Sequence, residues 1–381
     1  MTRALKVLHI ISGDLWAGAE VQAFTLISHL ERMPHTDVSV ALMNEGMLAE
    51  KLRAGGISVC VLDERTTGTF GVFAGLRKVL RRERPDLIHT HREKENILGS
   101  LANLTCGKCP SIRTVHGRDE HGGVGGGRSV RRRVVNGVDR WCGLVLQQRV
   151  IAVTQELGAR LKDEFPREKV AVIENGVDVE QERRNKGSAE FRKREPDSTH
   201  IGIAGRLVAV KRVDLFLEAA ALLLREYPER DWRFHIFGDG PMRSSLQELS
   251  QRLQLGQKAV FHGHRQDVVT CVGGLDALVI CSDHEGMPMV SLEAAAVDVP
   301  TVGHAVGGLV EVVPQELLVV RHDACGYRDG ILRAVREDGR DIAAIGARRI
   351  LEKFSARRNA ERIRALYEQV VEERNGHGAG R

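Results

Sequence analysis

A repeated alternation constrains this chain more than any other feature. Apolar runs of strand length fall at residues 6–12, 35–43, 57–63, 86–91, 112–117, 150–153 and 169–173, and again at 200–204, 233–237, 259–261 and 275–281. Between them lie segments of helical length, including 21–32, 45–54, 71–84, 128–145 and 156–165, then 242–253 and about 288–296. Strands joined by helices of ten or more residues cannot pair as hairpins, so the pattern predicts a parallel, doubly wound α/β sheet. Such sheets receive ligands at the carboxyl ends of their strands.

With 381 residues the chain is long enough for two cores. A polar, charged stretch at 181–199, with Arg183-Arg184-Asn185-Lys186-Gly187-Ser188 and Pro196, reads as an interdomain segment. The expected division is 1–180, the segment 181–199, a second domain at 200–355, and a last helical region at 356–381 with a frayed end.

A hydrophobic content of 42% with 28% charged residues excludes a disordered or fibrous chain. No apolar run is long enough to span a membrane, and Met1-Thr2-Arg3-Ala4-Leu5-Lys6 leads into the first strand without a signal-peptide pattern, so a cytoplasmic location is expected. Seven scattered cysteines point to free thiols. The lone Cys106-Gly107-Lys108-Cys109 lacks the second pair that a zinc site wants and reads as an incidental turn. The net charge of +5 is concentrated: residues 77–149 carry sixteen Lys or Arg against seven Asp or Glu. Nucleic acid is not the expected partner, because few aromatics are available to stack on bases and no binding motif is present.

Several strand ends carry chemistry. The first leads into Gly13-Asp14-Leu15-Trp16-Ala17-Gly18-Ala19-Glu20, a loop that either approaches a phosphate or is a plain βα turn. Ile88-His89-Thr90-His91 and Thr114-Val115-His116-Gly117 end in histidine, either as rim residues or as functional ones. The glycine-rich stretch 117–127 reads as a loop, whether a lid or a slack connection. Residues 128–145 place Val130, Val134, Val135, Val138, Trp141 and Val145 at helical spacing among arginines. That helix either lies on an anionic inner-membrane surface or packs its valines on the sheet.

In the second half, Gly205-Arg206-Leu207 precedes Lys211 at a helix start, where cations are slightly unfavourable unless an anion is to be bound. His262-Gly263-His264 has no further metal ligand nearby in sequence. Residues 285–293 read Glu-Gly-Met-Pro-Met-Val-Ser-Leu-Glu, a loop followed by a helix with Pro288 near its start. Glu285 either caps that helix or meets a ligand at its N-terminus, and Glu293 either faces solvent or lies deeper along it.

Together these phrases resemble the retaining GT-B glycosyltransferases of family 4. Glu285 and Glu293 are similar to the family's E-x7-E signature, and Gly205-Arg206-Leu207 with Lys211 to its G-R-L-x-x-x-K motif. Further matches are the Gly18-Ala19-Glu20 loop, with Ala17 in place of a glycine, the strand-end His116, Asn175-Gly176-Val177-Asp178, Gly238-Asp239-Gly240-Pro241 and Gly307-Gly308. After Glu311 the chain departs from the family pattern, lacking a glycine before the next strand.

The resemblance implies two Rossmann-like domains facing a cleft, the first on the acceptor side, the second holding the donor, with the C-terminal helix crossing back to the first. It implies transfer of a sugar from a nucleoside-diphosphate-sugar to a hydroxyl of a glycan or lipid-linked acceptor, in bacterial cell-surface polysaccharide or lipopolysaccharide synthesis. His116 and Glu285 would meet the donor sugar, Arg206 and Lys211 the diphosphate, and Glu293 the ribose. Gly18, Ala19, Gly205, Gly286, Met287, Pro288 and Met289 would line the donor, and His91 the acceptor side. No D-x-D triplet occurs, so no metal or other cofactor is expected. A GT-B epimerase or phosphorylase, or a silent sugar-nucleotide-binding partner, would use the same residues.

Overall fold

The computed structural model describes residues 3–14, 16–107, 109–117, 130–185 and 189–378. The glycine-rich stretch expected at 117–127 lies, past Gly117, outside the described residues. The chain forms two compact units: one takes the described residues up to Gly176 together with those from Ala356 onward, the other those of Val177–Ser355.

The first unit is built on a seven-stranded sheet of β1 (Leu5–Ile11), β2 (Thr36–Leu42), β3 (Ser58–Val61), β4 (Leu87–Thr90), β5 (Ser111–Val115), β6 (Arg149–Ala152) and β7 (Val170–Val172). Its order is β3-β2-β1-β4-β5-β6-β7, and every pairing is parallel. Alternation along each strand divides the core. Val7, Ile11, Val40, Leu87 and Ile112 face the helices Gly18–Glu31 and Ala356–Gly378, where Ile363 and Tyr367 pack, while Leu8, Ile10 and Ile88 face Val72, Leu76, Leu98 and Ala102 on the other side. His9, His89, Thr114 and His116 share the parity of the first set, which puts them on the face covered by the C-terminal helix.

The second unit carries β8 (Thr199–Ala204), β9 (Trp232–Phe237), β10 (Ala259–Gly263), β11 (Ala277–Ile280), β12 (Thr301–His304) and β13 (Leu318–Val319), in the order β10-β9-β8-β11-β12-β13, again wholly parallel. Trp232, Phe234, Phe216 and Tyr327 are the large side chains of its core. In each sheet the strand order reverses once, between β1 and β4 and between β8 and β11. Those are the places where a doubly wound sheet opens a crevice at its carboxyl edge.

Three local expectations are corrected. The first helix starts at Gly18 and not near residue 21, so Gly18 and Ala19 form its first turn. A helix at Glu93–Leu104, unread in the sequence because Glu95, Asn96, Ser100 and Asn103 interrupt its buried face, covers β4. The polar segment 181–199 is not a bare linker. Helices Val179–Asn185 and Glu190–Arg194 belong to the second unit, with Phe191 stacked 4.0 Å from His235 and Arg192 bonded to Asp276 at 2.6 Å. The high charge of that segment concealed one anchoring aromatic.

Candidate active site

At the switch point of the second sheet, two loops come together. β8 turns at Gly205 (φ +152°), in a region of backbone space that favours glycine. The chain then runs through half-buried Arg206 and fully buried Leu207 into a short 3-10 turn, Ala209–Lys211. From the neighbouring strand β11 comes Ser282-Asp283-His284-Glu285. The amide of Asp283 donates to the carbonyl of Val210 at 2.9 Å, locking the two loops.

The consequence is an ion pair between residues distant in sequence. Lys211 Nζ lies 2.7 Å from Glu285 Oε1, and Ser282 Oγ donates to the same oxygen at 2.5 Å. The Glu285 side chain is only 8% exposed, so its partners fix it in one place. Backbone seals the other side: the amide of Gly308 donates to the carbonyl of Gly286 at 2.8 Å. Gly307 adopts φ +53°, and any Cβ there would collide with the carbonyl of Glu285.

Met287, Pro288 and Met289 are buried, and the helix Met289–Ala296 follows with Pro288 as N-cap. Its first amides have no partner within the helix and carry the positive end of its dipole. Glu293 lies along this helix, 7% exposed. Burial, aided by the negative charge of Glu182, raises its carboxyl to about 8. Nearby, His322 joins Tyr327 (2.9 Å) and Asp283 (3.0 Å) and stacks on His304 at 3.7 Å.

In the first unit, the helix beginning at Gly18 has Ala17 as N-cap without a side-chain cap, so the amides of Gly18 and Ala19 lack partners within the helix. Beside them Arg92 Nη2 meets buried Glu20 at 2.6 Å. Burial outweighs this cation and lifts Glu20 to about 7, and it also raises Glu95. Sequence reading missed this cluster because Arg92 and Glu95 reach Glu20 only through the β1–β4 crossover.

His91 and His116, named separately from the sequence, are joined. Their rings stack at 5.7 Å, with His91 Nδ1 to His116 Nε2 at 3.4 Å. His91 continues to His9 (3.0 Å), and His9 to the Tyr367 hydroxyl (3.4 Å), which meets His89 Nδ1 at 2.6 Å. His89 ends the row on Thr114 at 2.7 Å. Burial lowers His9 and His116 to about 3 and His89 and His91 well below the usual range, so all four rings are neutral. Nitrogens of His9, His89 and His91 lie within 4.8 Å of one another, a spacing a metal ion could use. Every one of those nitrogens already has a hydrogen-bond partner, however, and the trio reads as a bonded row. The Cys106 and Cys109 thiols are free, and burial pushes Cys109 up to about 12, far from a reactive thiolate.

Two family models match this chain: Glycosyltransferase Family 4 over residues 16–181 and Glycosyl transferases group 1 over 198–337. Among curated relatives, the UDP-Gal:alpha-D-GlcNAc-diphosphoundecaprenol alpha-1,3-galactosyltransferase of Escherichia coli is 27% identical over 389 residues, covering 96% of this chain and 97% of that one. The D-inositol 3-phosphate glycosyltransferase of Saccharomonospora viridis is also 27% identical, covering 93% and 86%. Of solved structures, Anabaena HepE in complex with UDP-glucose superposes with a TM-score of 0.80 at 18% identity, over 96% of this chain and 100% of that one. With two parallel-sheet domains matched end to end and both family models satisfied, the chain belongs to family 4 of the GT-B glycosyltransferases.

Proposed function

We propose that the protein is a retaining glycosyltransferase that moves a hexosyl group from a uridine diphosphate sugar to a hydroxyl of a lipid-linked glycan in bacterial cell-surface polysaccharide synthesis. The observation that carries this reading is the Lys211–Glu285 pair, held at the strand-order reversal beside the start of the helix Met289–Ala296. A carboxylate fixed by a lysine and a serine is suited to sugar hydroxyls, while the ammonium and the helix amides are suited to a diphosphate. The Escherichia coli relative named for UDP-Gal and a diphosphoundecaprenol acceptor supports the donor and acceptor classes. HepE, solved with UDP-glucose, supports the same donor base.

In this reading the anomeric C–O bond to the diphosphate breaks with its electron pair going to the leaving group. The acceptor oxygen forms the new bond on the same face, and its proton passes to the departing phosphate oxygen. Arg206, Lys211 and the helix amides stabilise that developing charge without a metal, and loss of one such donor costs on the order of a hundredfold in rate. Glu285 and His116 hold the sugar and Glu293 the ribose, while Gly18 and Ala19 offer their amides to the donor. His91 stands behind His116.

The helix Val130–Trp141 supports an encounter with an anionic membrane. Val130, Val134, Trp141 and Val145 are exposed, at 76%, 59%, 45% and 58%. At 100° per residue Val130, Val134 and Trp141 share one stripe, with exposed Arg133 and Arg140 beside it and Val145 in the π-helical turn Cys142–Leu146 that follows. No described helix is long and apolar enough to cross a membrane.

The test is the melting-temperature shift with UDP-, GDP- and ADP-sugars, with and without EDTA, in wild type and Glu285→Gln. Stabilisation by UDP-sugars that survives EDTA and shrinks in the variant is expected, by about 2.7 kcal/mol at a hundred times Kd for wild type. No shift with any nucleotide sugar overturns the reading.

A further inference from the structure

The imidazole row of the first unit has a direction, and that direction sets which atom His116 offers. Six groups are linked in a line: His116, His91, His9, Tyr367, His89 and Thr114. A neutral imidazole has one donor and one acceptor nitrogen, and a hydroxyl in a chain donates once and accepts once. In a line of such groups every bond therefore points the same way. A phenol oxygen can also accept from both neighbours, but buried Tyr367 would then leave its own O–H unbonded, so two arrangements keep every proton in a bond, one the reverse of the other.

Tyr367 decides between them. A phenol is a stronger donor than acceptor, and imidazole nitrogen is a strong acceptor, so the shorter contact is the one in which the phenol donates. That contact is the 2.6 Å one to His89 Nδ1, against 3.4 Å to His9 Nε2. Tyr367 thus donates to His89, whose Nε2–H donates to Thr114 Oγ1. On the other side, His9 Nε2–H donates to Tyr367, His91 Nε2–H to His9 Nδ1, and His116 Nε2–H to His91 Nδ1. All four rings carry the proton on Nε2. His116 Nδ1 is left as a bare lone pair, and it is a buried atom with no partner among the described residues. His91, Thr114 and His116 line one small cavity with the amides Gln22, Asn175 and Asn359.

We propose that Tyr367 is a positioning residue for His116, fixing its Nε2–H tautomer through His9 and His91 so that Nδ1 accepts a hydrogen bond from a substrate hydroxyl. The proposal rests on the reading that His116 meets the donor sugar. It gives the C-terminal helix a role in the site beyond packing, and it makes His91 and His9 the connection between the two.

The test has two independent readouts. In protein labelled with 15N at histidine, long-range 15N–1H correlation reports the tautomer of each ring. His116 is expected as Nε2–H in wild type, and an Nδ1–H wild-type ring overturns the proposal whatever any variant does. Tyr367→Phe keeps the aromatic ring and removes the hydroxyl, and His9→Phe cuts the row at the next link. In each, His116 is expected as a mixture of tautomers, and an unchanged pure Nε2–H ring in a folded variant overturns the proposal. The second readout is UDP release from UDP-galactose and UDP-glucose with water as acceptor. Tyr367→Phe is expected to lower kcat about tenfold with KM for the donor within about twofold, the size of one misdirected hydrogen bond. An equal rise in KM would mark a merely structural role. His116→Ala separates the two claims: if it releases UDP as fast as wild type while the tautomer results hold, the placement of His116 at the sugar fails and the row stands.

Discussion

Among single residues, Glu293 makes the most direct pH prediction. Its carboxyl, ordinarily near 4.5, is raised to about 8 by burial. A raised acid favours the folded state while protonated, so its contribution is complete below about 4.5 and is lost as pH rises toward 8. Glu293→Gln has the same shape and no titrating proton. The variant is therefore expected to gain in melting temperature relative to wild type as pH goes from about 5 to about 8.5, and a constant difference across that range would contradict the burial account. The signature Glu285–Glu293 was legible in the sequence as a pattern. The spacing did not decide whether Glu293 meets solvent, because burial comes from what packs over the helix, here the helices Val179–Asn185 and Glu337–Lys353. Glu20 was legible as part of a loop, yet its Arg92 partner was not, since nothing local couples an N-terminal turn to the end of β4.

For the elements, the helix Val130–Trp141 was legible as basic and amphipathic, but the sequence left open which face would be covered. The structure divides its apolar residues: Val135 and Val138 are half-buried, whereas Val130, Val134 and Trp141 are exposed, as is Val145 in the turn that follows. An exposed valine that enters a lipid interface gains roughly 1.5 kcal/mol, and an arginine near an anionic surface about 1 kcal/mol. Val134→Asp is thus expected to weaken co-sedimentation with phosphatidylglycerol vesicles at least tenfold, and Arg133→Glu with Arg140→Glu to do so in low salt but less in high salt. Wild-type binding to neutral phosphatidylcholine as strong as to the anionic lipid, or binding indifferent to Val134→Asp, would exclude this face as the membrane contact. One helix was missed in the sequence. The helix Glu93–Leu104 turns Glu95, Asn96, Ser100 and Asn103 inward beside Leu98 and Ala102, so polar residues interrupt the apolar stripe by which a helix is read. Asn96 bonds Asp139 and Gln147, and Asn103 bonds the Cys109 carbonyl, all supplied from elsewhere in the unit.

On the scale of the whole molecule, the first unit is discontinuous. Its sheet ends before Gly176, but its core is completed from residue 356 onward by Ala360, Ile363, Tyr367 and Val370. The alternation of strands and helices made both sheets legible, while the return of the last helix came only from the family resemblance, since an amphipathic helix does not state which core it covers. Polar contacts fix the docking: Asn359 Nδ2 donates to the Glu174 carbonyl at 2.6 Å, Gln22 reaches Asn359 at 3.2 Å, and Arg362 pairs with Glu174 at 2.6 Å. Burying Ile363, Tyr367 and Val370 at about 1.5–3 kcal/mol each rivals the roughly 5–15 kcal/mol that holds a domain folded. Deleting residues 356–381 is therefore expected to unfold the first unit and leave the second, whose core borrows nothing from that helix. By circular dichroism the truncated chain should retain one cooperative transition and lose about half of its helical signal, and an isolated 177–355 fragment should melt at that same temperature. A truncated chain that melts like the full one would mean that the helix is an ornament on a self-sufficient sheet, and Tyr367 would then have no part in ordering the histidine row beneath it.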